Sequence, residues 1–188
     1  MEKLAITLIN KIVHWSRNQY AEDEIEIFIY GTECLLNSLI TDILVILWGF
    51  VNDSLFESIC WLIFFSLYRH HVGGYHAKTS EQCILLSSLL GFSNTYAIIF
   101  FSHHKSFILL LVLTIYFSCI AFAPINTKKI HLSCHQQWKE KAYALLLISI
   151  AYASRIILPI EYYISIIYAL FVATLLIIVF KVSTLFNG

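Results

Sequence analysis

His76 and Cys83 stand seven residues apart in the run Arg69-His70-His71-Val72-Gly73-Gly74-Tyr75-His76-Ala77-Lys78-Thr79-Ser80-Glu81-Gln82-Cys83. A neutral imidazole can take the proton from a thiol, and the resulting thiolate is the nucleophile that attacks a carbonyl. On one unbroken helix that spacing would hold the two Cα atoms about 10.5 Å apart, too far for direct contact. The segment should therefore not be a single helix. Gly73-Gly74 permits a sharp turn, and Thr79 followed by Gln82 three residues later is a capping box. This places a helix start at Thr79, with Cys83 in its first turn or just beyond. The free N–H groups and dipole there favour a thiolate, and His76 in the preceding loop can fold back towards it. Spacing alone leaves a second reading open, a chance thiol near a chance histidine.

The elements that must position this run are apolar helices. Of 188 residues, 59% are hydrophobic and 13% charged, against about 45–50% and about 25% in soluble domains. Six Gly and two Pro exclude a low-complexity chain, and a formal net charge of zero gives no global field for nucleic acid. The composition is that of an all-α integral membrane protein with one domain over 1–188. A bilayer core takes about 20 mainly apolar residues per helix. Six segments qualify as transmembrane helices, 30–51, 55–68, 83–102, 106–123, 142–158 and 160–180. The second is short and carries Glu57.

Charge placement supports that count. With six spans and both termini inside, ten of the twelve Lys and Arg fall on the cytoplasmic side and only Lys105 and Arg155 outside. If 55–68 does not cross, the bias disappears. Residues 1–20 form an amphipathic helix, with Leu4, Leu8, Ile9, Ile12, Val13 and Trp15 set against Lys3, Asn10, Lys11 and Arg17. It either lies on the inner leaflet as an interfacial helix or packs against the bundle. Glu22, Asp23, Glu24 and Glu26 read as a solvated acidic face. Two polar cytoplasmic loops remain, 69–82 and 124–141, and the first, run on to Cys83, is the candidate catalytic loop.

Other reactive side chains carry weaker patterns. Cys34, Cys60 and Cys119 sit in apolar spans and read as small hydrophobes. Cys83 and Cys134 fall on the cytoplasmic side, where thiols stay reduced. His131 and His135 flank Cys134 at helical spacing, yet no third ligand is evident, so no metal and no cofactor are expected. Arg69 can clamp a substrate carboxylate, brace the loop, or snorkel from a helix end. Glu33, Asn37 and Thr41 share one stripe of the first span. Glu33 is thus a candidate partner for His76, although such a stripe also suits helix packing or a dimer seam.

The run Arg69-x3-Gly73-Gly74-x-His76-Ala77-x5-Cys83 between two apolar spans resembles the signature of the AgrB family (accessory gene regulator protein B). Tyr30-Gly31-x-Glu33 at the start of the first span and Ala123-Pro124-Ile125-Asn126-Thr127-Lys128-Lys129 after the fourth resemble two further family motifs. Length, span count and the amphipathic N-terminus agree, so the likeness covers nearly the whole chain. It implies a bacterial membrane cysteine endopeptidase of quorum sensing, a homodimer in the cell membrane, with His76 and Cys83 as the catalytic pair. Its substrate would be an AgrD-like precursor peptide with an amphipathic leader, a central segment and an acidic tail. The tail is removed and the central segment closes to a thiolactone or lactone. Lys128 and Lys129 can attract the acidic tail, although a positive-inside loop needs such residues for topology. Gly73 and Gly74 shape the turn.

Two other classes fit the composition. A small transporter would carry ionisable residues deep in several spans. A structural membrane protein would leave Cys83 inert.

Overall fold

The computed structural model describes residues 2–16, 20–73, 79–125 and 133–186. Among these, seven α-helices and one short 3-10 turn appear and no strand, which matches the all-α expectation. They are α1 (Glu2–Ser16), α2 (Glu22–Val51), α3 (Leu55–Val72), α4 (Ser80–His103), α5 (Ser106–Phe122), α6 (Cys134–Ala153) and α7 (Ile160–Phe186). Three of them, α2, α4 and α7 over Ile160–Ser183, are long and apolar enough to cross a membrane, and α5 is a shorter apolar helix.

Several helix ends differ from the sequence reading, and capping explains most of the differences. α2 begins at Glu22 rather than 30, so the acidic run is its first turn. The Glu24 carboxylate accepts from Ala21 N–H at 3.1 Å, where a helix N-terminus favours negative charge. α3 continues four residues past 68, placing Arg69, His70 and His71 in its last turn, where cations complement the dipole. α6 starts at Cys134, inside the stretch 124–141 expected to be loop. Ser133 caps it reciprocally, its Oγ accepting from Gln136 N–H at 3.3 Å while its own N–H donates to Gln136 Oε1 at 2.9 Å. The helix expected over 142–158 also stops early, at Ala153, passing through the 3-10 turn Ser154–Ile156 to Pro159, from which α7 departs.

The chain divides into two compact units, Met1–Val45 with His76–Leu89, and Ile46–Tyr75 with Leu90–Gly188. In the first unit, α1 buries the small side of its apolar arc, Ala5 and Ile9, and leaves Leu4, Leu8, Ile12 and Trp15 exposed. On α2, Asn37, Thr41 and Val45 are buried one turn apart, and the Thr41 hydroxyl donates to the Asn37 carbonyl at 3.0 Å.

In the second unit α7 is central. It packs against α3 and α5, and α6 packs against the same two helices. Trp61, Tyr68, Ile115, Ile148, Ile164, Ile167, Leu170 and Ile177 are fully buried there. Polar pairs tie helices together: Ser93 to Tyr168 at 2.8 Å, Asn94 to Ser165 at 3.3 Å, and Thr174 to Tyr68 at 3.5 Å. In an apolar surrounding such bonds hold helices where burial of more apolar surface would not. The end of α2 turns back into α3 through Asn52 and Asp53, the latter at φ 53°. Gly49 makes the hairpin tight, since a Cβ there would lie only 2.8 Å from Ser58 Cβ.

Candidate active site

Cys83 is the fourth residue of α4 and half-buried. The helix start forms as its sequence suggests: Thr79 Oγ1 accepts from Gln82 N–H at 3.3 Å, and Thr79 O accepts from Cys83 N–H at 3.0 Å. Ser80, first residue of α4, donates its hydroxyl to the Glu33 carboxylate of α2. That contact anchors Glu33 one helical turn before the thiol, in the same unit. His76, Gly74, Lys128 and Lys129 lie outside the described residues, as does His131.

The other side of the candidate loop leaves α3. Gly73 has φ 76° and ψ −158°, a backbone conformation that side chains disfavour, and its N–H donates to Arg69 O at 2.9 Å. A Cβ on Gly73 would sit 3.4 Å from Ile125 Cβ. Ile125 in turn donates its N–H to Val72 O at 3.0 Å, so the Ala123-Pro124-Ile125 segment is bonded to the end of α3. The Arg69 guanidinium lies over the Phe65 ring, 5.6 Å from its centroid, a cation–π contact on its own helix.

A histidine–carboxylate contact that sequence reasoning missed fixes the same helix end. His71 Nδ1 lies 2.6 Å from Glu140 Oε2, and the His71 ring packs against Tyr143 of α6 at 5.4 Å. Lys141 donates to Ile120 O at 2.9 Å, placing a cation at the C-terminal end of α5. His71 and Glu140 are 69 residues apart. The one available signal was a third histidine, beside His70 and His76, facing a stretch read as loop.

A membrane-type helical chain with a half-buried thiol in a capped first helical turn defines the class. Comparison with known sequences makes it specific: the chain belongs to the accessory gene regulator B family, whose pattern matches residues 5–184. It is therefore a membrane protein. It is 31% identical over 120 residues to AgrB-like protein 2 of Clostridium perfringens strain 13, covering 60% of this chain and 56% of that one. A second AgrB-like protein, from Clostridium perfringens strain SM101, is 28% identical with the same coverage. The matched stretch thus spans about half the length of these curated relatives. No solved structure matches the chain.

Proposed function

We propose that this protein is a membrane-embedded cysteine endopeptidase that removes the C-terminal tail of an AgrD-like precursor and enables cyclisation of what remains, for quorum sensing. The observation that carries the reading is Cys83 in the first turn of α4, in a chain of the accessory gene regulator B family. In the proposed cycle His76 takes the Cys83 proton and the thiolate attacks the carbonyl joining core and tail. The C–N bond breaks, the tail leaves as an amine carrying the proton from His76, and the core stays as a thioester on Cys83. An internal thiol or hydroxyl of the core then displaces Cys83 and closes the ring. Splitting the conversion at a thioester replaces one uphill step with two easier ones, and a site at the membrane face limits loss of that intermediate to water.

The remaining parts of the reading are topological. Six spans place both termini and the loop 69–83 on the cytoplasmic side. α1 lies on the inner leaflet with Leu4, Leu8, Ile12 and Trp15 turned to lipid; Trp15 is 88% exposed. The active protein is a homodimer, Arg69 braces the loop with Gly73 and Gly74 forming its turn, and Lys128 and Lys129 attract the acidic tail. Glu33, held at the α4 start, is the acceptor available to orient an imidazole. The test is precursor cleavage in reconstituted membranes with Cys83→Ala and His76→Ala: both must abolish tail release. Full cleavage by Cys83→Ala would refute the mechanism.

A further inference from the structure

α1 is apolar on two sides, and packing accounts for one of them. At about 100° per residue, Ala5, Ile6, Ile9 and Val13 share one side of the helix, where Ala5 and Ile9 are buried and the other two half-buried. Leu4, Leu8, Ile12 and Trp15 fall within about 80° of arc, centred about 120° away from that side, and all four are exposed. Lys3, Thr7, Asn10, Lys11 and His14 occupy the third side and are exposed as well. A helix held by packing alone needs one apolar side. The second needs a partner of its own.

The border between the exposed apolar side and the polar side shows what that partner is. Thr7, Asn10, Lys11, His14 and Trp15 line an open groove of about 420 Å³ there. Lys11 is three residues from His14 and four from Trp15, so these side chains are neighbours on the helix surface. No carboxylate lines the groove, and Glu2, the acid of α1, stands at the far end of the helix. The Thr7 hydroxyl donates to Lys3 O at 2.8 Å. No hydrogen bond or ion pair among the described residues engages the Lys11 ammonium, the Asn10 amide or the His14 ring, and each can donate to a phosphate oxygen. A free phosphate would leave the apolar stripe in water. A phospholipid satisfies both, with its headgroup in the groove, its acyl chains along Leu4, Leu8 and Ile12, and the Trp15 indole at the boundary where such rings concentrate. A zwitterionic headgroup brings its own ammonium, for which the groove has no carboxylate. The exposed apolar faces of α2 and α5 differ, because neither helix carries a Lys, Arg or His.

We infer that Lys11, Asn10 and His14 form a site on α1 for the phosphate of an anionic phospholipid. The assignment rests on the reading that α1 lies at the membrane surface, and adds which lipid holds it there.

The test is amide hydrogen exchange over residues 2–16, read by mass spectrometry on the full protein in lipid nanodiscs. Discs of phosphatidylcholine are compared with discs of an equal mixture of phosphatidylcholine and phosphatidylglycerol. Exchange should be about fivefold slower in the mixture, the scale of one basic residue at an anionic surface. Lys11→Gln should remove most of that difference. Lys3→Gln, on the same side but outside the groove, should remove little of it, and both variants should melt as wild type. Equal exchange in the two kinds of disc overturns the site. So does an equal effect of the two substitutions, which marks diffuse attraction. Inorganic phosphate that slows exchange in phosphatidylcholine discs also overturns it, since the ligand is then a soluble anion. Trp15→Ser tests the underlying reading separately. If it leaves exchange unchanged in both kinds of disc, the exposed stripe does not rest on lipid and the surface helix itself fails. Faster exchange in Trp15→Ser with no effect of phosphatidylglycerol keeps the surface helix and removes only the headgroup site.

Discussion

The contact between His71 and Glu140 should be worth measurable free energy and should act on catalysis only through position. The two side chains are 24% and 30% exposed and meet at 2.6 Å. A charge-assisted hydrogen bond contributes about 1.5–3 kcal/mol, whereas exposed pairs contribute about 0.2–1 kcal/mol. Partial burial places this one between, at about 1–2 kcal/mol of coupling, or about a five- to thirtyfold factor in an equilibrium. His71 is two residues before Gly73, so the pair pins the point where the chain leaves α3 for the proposed catalytic loop. The experiment is a double-mutant cycle with His71→Ala, Glu140→Ala and the combination, read by detergent-induced unfolding and by precursor cleavage. Each single change should lower cleavage several-fold without abolishing it, and the second change should add little to the first. Reaction of Cys83 with a small maleimide should stay at the wild-type rate, because neither residue touches the thiol's helix start. Losses that add to within about 0.5 kcal/mol would refute the coupling.

Other outcomes follow from the same geometry. Cys83→Ala should abolish tail release measured by mass spectrometry of the precursor, while Cys134→Ala, exposed at the start of α6, should leave it at the wild-type rate. Gly49→Ala forces a Cβ to within 2.4 Å of Ser58 Oγ and should destabilise the α2–α3 hairpin by about 1–3 kcal/mol; adding Ser58→Gly should restore the melting temperature. Gly73→Ala, at φ 76°, should reduce stability by about 1–2 kcal/mol and slow cleavage, and a protein that melts and cleaves as wild type would show that the loop leaves α3 differently.

Local chemistry made much of the chain legible. Long apolar runs with few charges specify helices because lipid leaves backbone groups no other partner, and α4, α5 and α7 start within three residues of where hydropathy put them. Thr79 and Gln82 announced the start of α4 for the same local reason: a cap is made by residues three apart. The boundaries that went wrong, at α2 and α6, were also set by caps. There Glu24 reached Ala21 and Ser133 paired with Gln136, in stretches whose polarity masked them as loop.

What the linear chain determined by itself was the class of molecule and the motif around Cys83, since composition, capping and a seven-residue spacing are properties of neighbours in sequence. Only the tertiary structure joined His71 to Glu140, Val72 to Ile125 and Ser80 to Glu33, and showed that Asn37 Oδ1 and Ser88 Oγ are buried without partners. These groups are 47–69 residues apart where they pair. No periodicity encodes such a meeting; it is set by which helix faces pack together once apolar surfaces have chosen their neighbours.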